Sequence, residues 1–253
     1  MIPMIDTHCH LLHKGLLEKH EQVIQEARKS MTAIINCGYP GDAKEAIELT
    51  KKHKGFIFLT LGLHPIDIVK MTDDQIDEYI SFVKNHKNNI LAIGEIGLDY
   101  HWYPEPEKQP RLEKIFQKML DLAEELNLPV ILHTRKAEQR CFDIVAERDL
   151  KNVVFHCYAG NLTLAQKIID QGYFISVGTN LLRGKNTKKI AKNYPLEQLL
   201  TETDAPFLSP YPGKQNVPQN VAFVLEEMSK LRGVTVSEID MVIEGNCKKL
   251  FKI

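Results

Sequence analysis

Apolar runs of four to six residues recur along the chain, separated by longer stretches in which apolar positions return every three or four residues. The runs are Met4–His8, Ala33–Cys37, Phe56–Leu61, Ile90–Glu95, Pro129–His133, Val153–His156, Tyr173–Val177 and Leu199–Asp204. Their shortness and their β-branched and aromatic content predict eight strands. Between them the spacing predicts helices. Leu112, Ile115, Phe116, Met119, Leu120, Ala123 and Leu126 define one apolar face, and Leu164, Ile168 and Ile169 another. Gly172 stands where a helix C-terminal cap belongs, just before the seventh strand. Near-continuous apolar strands pair in parallel, with the helices as right-handed crossovers. Eight such units predict an α/β protein closed into a (β/α)8 TIM barrel.

The tail from Val217 predicts two further helices, the first with Val221, Val224, Leu225 and Met228 on its apolar face and the second capped by Ser237. No composition break or low-complexity linker divides the chain, so residues 1–253 read as one domain. The turn-rich segment Ser209–Asn216 follows the last strand and belongs at the barrel mouth.

Composition narrows the classes of function. Apolar residues are 43% and charged residues 26% of the chain, as in soluble globular proteins, and the net charge is −1. No overall positive field draws in a polyanion, so a nucleic-acid partner requires local positive charge or bound metal. The five cysteines are odd in number, scattered and without a CxxC, which points away from a disulfide framework or zinc knuckle and toward a reducing cytoplasm. Met1–His10 lacks the basic start of a signal peptide, and no run approaches the roughly 18 apolar residues of a membrane span. No membrane partner is expected, and a monomer or weak oligomer is.

The chemistry lies at the strand ends. His8 and His10 close the first strand, Glu95 the fourth, His133 the fifth, His156 the sixth and Asp204 the eighth. In a (β/α)8 barrel these ends converge on one mouth, where active sites are built. Side chains alternate faces along a strand, so His8 and His10 can both point inward while Cys9 points away. A single buried histidine is more often a hydrogen-bonded core residue than a ligand. Four histidines and two carboxylates at converging strand ends are a different matter.

Six ligand-type side chains suggest two divalent ions bridged by Glu95, with His8, His10 and Asp204 completing one site and His133 and His156 the other. Imidazole and carboxylate donors suit Zn²⁺, Mn²⁺, Fe²⁺, Ni²⁺ or Co²⁺, and Mg²⁺ less comfortably. Asp204 is placed to take the proton of an attacking water, so Asp204 and Glu95 are the expected catalytic carboxylates. Glu202, two residues earlier, is either an acceptor that orients a histidine or an ordinary ion-pair partner.

His64 follows the third strand and is expected to reach a substrate oxygen, and Arg135, two residues past His133, a phosphate. Lys136, Arg183, Lys185 and Lys214 also fall near the mouth, where cations are usually plain solvated surface. Asp99 and Tyr100 shape the pocket or only build the loop. Trp102 can stack on a base, although a lone tryptophan is more often packing. His13, His20, His53 and His86 read as ordinary solvated residues. No P-loop, dinucleotide fingerprint or GxSxG elbow is present.

At this point several motifs, in order from about residue 5 to 251, resemble the TatD family of metal-dependent deoxyribonucleases. They are Asp6-Thr7-His8-Cys9-His10-Leu11, Gly62-Leu63-His64-Pro65, Ala92 to Tyr100, Leu128 to Arg135, Phe155 to Gly160 and Leu200 to Leu208, with a similar tail from Asn246 to Phe251. The resemblance implies an amidohydrolase-like barrel, a divalent-metal site and hydrolysis of phosphodiester bonds in DNA. It implies metal binding by His8, His10, Glu95, His133, His156 and Asp204, and a place for His64 near the substrate phosphate. Some members lack the His-x-His pair; this chain keeps it, which implies two metals. The segment Arg183–Lys189 matches the pattern loosely.

The leading expectation is therefore a deoxyribonuclease acting from an end of a strand, on single-stranded DNA or a strand terminus. An alternative keeps the site and changes the bond to an ester or amide, as in a D-aminoacyl-tRNA deacylase. A non-catalytic scaffold is disfavoured, because a barrel needs none of the six ligands for stability.

Overall fold

The computed structural model describes residues 4–253; the start of the signal-peptide reading, Met1–Pro3, lies outside them. The strands are β1 (Met4–Cys9), β2 (Met31–Gly38), β3 (Ile57–Leu61), β4 (Ala92–Asp99), β5 (Val130–Arg135), β6 (Val153–Phe155), β7 (Phe174–Val177) and β8 (Leu199–Thr201). They form one parallel sheet in sequential order. Cys9 pairs with Ala205, and Asp204 N–H donates to His8 carbonyl at 3.0 Å, so the first strand meets the chain just past the eighth and the sheet closes.

The helices are α1 (His20–Ala27), α2 (Ala43–Lys52), α3 (Pro65–Ile68), α4 (Asp73–Asn85), α5 (Gln109–Leu126), α6 (Glu138–Ala146), α7 (Leu162–Asp170), α8 (Lys185–Asn193), α9 (Val221–Arg232) and α10 (Val236–Phe251). On α5, Leu112, Ile115, Phe116, Met119, Leu120 and Ala123 are buried against the barrel, each large one worth about 1.5–3 kcal/mol. Gly172 follows α7 at φ +81, as a C-terminal cap requires. Helices α9 and α10 pack over the β8–β1 seam, where Asn246 Nδ2 donates to the Leu196 and Leu199 carbonyls at 2.8 Å each.

Besides the ends of β1, β5 and β6, which fall at Cys9, Arg135 and Phe155 rather than at His10, His133 and His156, four expectations need correction. The fourth strand does not end at Glu95; it continues to Asp99. Its pairing with β5 slips by one residue between Ile93 and Ile96, and such a bulge re-aims the side chains it carries. The eighth strand stops at Thr201, so Asp204 lies in the following turn with φ +56, set there by the bond to His8. The cap of α10 is Thr235, whose hydroxyl accepts from Glu238 N–H while the Glu238 carboxylate accepts from Thr235 N–H; Ser237 already lies inside the helix. His53 is buried between Arg28 and Glu21 rather than solvated.

Two glycines hold the bulge in place. A Cβ on Gly62 would lie 2.4 Å from the Glu95 carbonyl oxygen, and one on Gly97, at φ +143, 2.0 Å from that of His133. The loop after β3 and the strand β4 pass each other at backbone distance, so only glycine fits.

Candidate metal centre

At the C-terminal end of the barrel the predicted ligands come together. His8 and His10 project from the end of β1 with their Nε2 atoms 3.2 Å apart, while Cys9 turns its thiol toward the Ile35 carbonyl on the other face. Asp204 Oδ1 lies 3.2 Å from His10 Nε2 and 3.9 Å from His8 Nε2. Glu95 Oε2 lies 3.6 Å from His8 Nε2 and 4.0 Å from His10 Nε2. The other oxygen of Glu95 faces a second group: His133 Nδ1 is 2.7 Å from Oε1 and His156 Nε2 3.2 Å.

The first set fits a cation. Four ligands at the ~2.0–2.2 Å typical of Zn²⁺ bonds to nitrogen and oxygen lie ~3.4 Å from one another when tetrahedral. The five distances among His8, His10, Asp204 and Glu95 scatter around that value, from 3.2 to 4.0 Å. The donors are imidazole nitrogens and carboxylate oxygens, the chemistry of borderline and hard divalent ions.

The carboxylates and imidazoles tune one another. Burial works to keep His10 neutral, but Asp204 outweighs it and holds the imidazolium form well above its ordinary range. In return, Asp204 is held below the usual carboxylate range against its burial, chiefly by the bond to His10. Burial likewise opposes ionisation of Glu95 and loses to His156, His133 and His8, which leave the acid well below its usual range. His8, with burial and His156 acting together, is pushed down. The centre therefore keeps its acids ionised, as ligands must be.

Two outer carboxylates orient the imidazoles of the second group. His156 Nδ1 lies 3.0 Å from Glu202 Oε1, and Ser176 donates to the other Glu202 oxygen. His133 Nε2 lies 3.0 Å from Asp99 Oδ2. Of the two readings open for Glu202, the geometry is that of a histidine-orienting acceptor, and Asp99 proves to be more than a loop builder. The same Asp99 accepts from the His101 and Trp102 N–H groups through Oδ1, tying the Trp102 turn to the centre.

His64 stands at the edge of the second group, its ring 4.4 Å from that of His133 and its Nε2 4.0 Å from Glu95 Oε1. Its Nδ1 accepts the Ile66 N–H at the start of α3, so the proton sits on Nε2, facing the centre. Burial and the neighbouring His133 hold its pKa down at about 3, so it is a neutral donor. Arg135 ends β5 on the exposed rim, its guanidinium 5.4 Å from the centroid of the Trp102 ring.

Two participants were not singled out at the level of sequence. Tyr39, just past β2, donates its hydroxyl to Glu95 Oε2 at 2.6 Å and stacks on His10 with ring centroids 5.4 Å apart. Cys37 accepts the Glu95 N–H at 3.2 Å and lies within reach of the His8, His10 and Glu95 donor atoms. The end of the second strand holds no histidine or acid, but the convergence of all eight strand ends would have singled it out.

Known proteins resemble this chain over its whole length. The family described as TatD related DNase matches residues 5–252. An uncharacterised metal-dependent hydrolase of Methanocaldococcus jannaschii is 40% identical over 99% of this chain and 98% of its own. A human protein named deoxyribonuclease TATDN3 is 28% identical over 99% and 95%. The crystal structure of a TatD homologue from Escherichia coli K12 superposes with a TM-score of 0.91 at 29% identity, covering all of both chains.

Proposed function

The chain belongs to the TatD-related DNase family and is a metal-dependent hydrolase; from that premise we propose that it cleaves phosphodiester bonds of DNA from a strand end, using two divalent ions. The observation that carries this reading is the placement of Glu95. One of its oxygens faces His8 and His10 and the other faces His133 and His156, as a carboxylate shared by two ions would. Paired cations, when bound, polarise a phosphoryl oxygen and activate the attacking water, chemistry suited to in-line displacement at phosphorus. Zn²⁺, Mn²⁺, Ni²⁺, Co²⁺ and Mg²⁺ are the candidates.

The protein's own groups divide the remaining work. His8, His10 and Asp204 would hold one ion and His133 and His156 the other, with Glu95 available to both. Asp204 takes the proton from the attacking water: its side chain is 17% exposed where that of Glu95 is 4%, so of the two carboxylates it meets the solvent side. His64, neutral with its Nε2–H facing inward, donates to a phosphate oxygen. Arg135 on the rim pairs with a neighbouring phosphate. The chain acts as a single catalytic domain, as a monomer or weak oligomer. Five free thiols favour the cytoplasm, and no described helix is long and apolar enough to cross a membrane.

The test is a single-stranded oligonucleotide labelled at either end and incubated with Mn²⁺. The wild-type protein shortens it from one end, and Asp204→Asn lowers kcat/KM by about 10²–10⁴-fold, the usual worth of a positioned proton acceptor. An intact oligonucleotide with every divalent ion, alongside hydrolysis of an aminoacyl ester, would transfer the site to the carbonyl chemistry of a deacylase.

A further inference from the structure

Charge is not spread evenly over this nearly neutral chain. Between Gln171 and Leu196 there are five cations and no acidic residue, and between Ala205 and Leu225 there is Lys214 and again no acid. The two segments contain the loops after β7 and β8. Lys188 pairs with Glu227, and Lys192 lies toward the far end of α8. Lys189 also lies along α8, and Arg183, Lys185 and Lys214 are exposed at the loops, with no ion pair among the described residues.

The two loops form one surface. Thr179 donates to the Leu208 carbonyl at 2.6 Å, Asn216 Nδ2 reaches Thr179 Oγ1 at 3.3 Å, and the Arg183 guanidinium lies 3.4 Å from the Ser209 and Pro210 carbonyls. Phe207, Leu208 and Tyr211 stand exposed on this surface, at 47%, 41% and 47%. The Phe207 ring lies 5.8 Å from that of His10 and 4.9 Å from that of His13, and its N–H donates to the Asp204 carbonyl at 2.8 Å. Lys214 Nζ sits 5.7 Å from the Tyr211 ring centroid. Aromatic faces interleaved with unpaired cations, beginning beside a candidate catalytic carboxylate, are the physical make-up of a surface that tracks single-stranded nucleic acid.

We propose that the β7 and β8 loops bind the substrate strand beyond the scissile phosphate, Phe207 and Tyr211 stacking on successive bases and Arg183, Lys185 and Lys214 meeting the backbone. The inference rests on the nuclease reading and extends it. A base face is free for stacking only when the base is unpaired, so this surface selects unpaired strands and lays them in one direction, away from Glu95 and across Asp204.

The experiment measures binding of a fluorescent eight-residue oligothymidylate with phosphorothioate linkages to the Mn²⁺-loaded protein. The Arg183→Ala/Lys214→Ala double variant binds more weakly, and its plot of log affinity against log salt is shallower by about 1.4, from ~0.7 per single-strand phosphate contact. Phe207→Ala and Tyr211→Ala each lose about fivefold or more for this strand and much less for an abasic strand of equal length, and Phe207→Trp restores the loss. Lys29→Ala and Lys51→Ala, on a remote part of the surface, leave both quantities unchanged. An unaltered salt slope in the double variant, equal losses on the two strands, or no binding by the wild type would overturn the proposal. Cleavage of ordinary DNA by the wild type is scored separately, so a protein that binds the strand without cutting it defeats the nuclease reading and not the surface.

Discussion

At the scale of single residues, the candidate metal centre depends on groups outside the six predicted ligands. Glu202 is buried and held by Ser176, and it fixes the ring of His156 from behind. Partners of this kind set the tautomer and basicity of a metal-ligating imidazole, and their loss typically costs 10–100-fold in metal affinity. Glu202→Gln is therefore expected to weaken binding of one Mn²⁺ equivalent by about 10–100-fold. Competition against a chelator measures this, with the circular dichroism spectrum unchanged. Two equivalents held as tightly as in the wild type would reduce Glu202 to a core hydrogen-bond partner.

At the scale of elements, the helices carry their own titratable test. Asp240 on α10 is buried, its Oδ2 lacks a partner, and burial with Glu244 one turn away pushes its pKa up to about 7. A carboxyl raised on folding stabilises the protein fully only below its unfolded value, and that contribution is lost as pH rises through about 7. Asp240→Asn should therefore change Tm least at or below about pH 4 and raise it increasingly toward pH 8, by roughly 2–4 °C for each kcal/mol recovered. A Tm difference independent of pH would show that Asp240 ionises freely. The elements also mark how far the sequence could be read. The eight strands and the long helix α5 were legible, because apolar periodicity follows directly from which face is buried. The β4 extension and its bulge were not, because Gly94-Glu95-Ile96-Gly97 lacks a continuous apolar pattern and its path is set by contact with Gly62 and His133. The cap of α10 was misplaced by two residues, although Thr235-x-x-Glu238 is a readable capping box.

At the scale of the molecule, barrel closure gathers residues separated by up to 196 positions, as between His8 and Asp204, into one cluster. Topology explains why the six candidate ligands could be expected to cluster without coordinates: ligand-type residues at strand ends have a single mouth to share. It does not specify which outer groups join them. Tyr39, Cys37 and Asp99 reach the centre through side-chain directions that only the packed barrel determines. The division of charge across the mouth is also a property of the whole molecule. A net charge of −1 conceals a cationic, aromatic surface on the β7–β8 side.

If two cations bind at the barrel mouth, Glu95 should stand between them. Anomalous diffraction from crystals soaked in Mn²⁺, collected above the manganese edge, tests it most directly. Two peaks roughly 3.5–4 Å apart are expected, one on each side of the Glu95 carboxylate, with the peak between His8 and His10 lost in a His8→Ala/His10→Ala protein. A single peak remote from Glu95, or none at the barrel mouth, would contradict it.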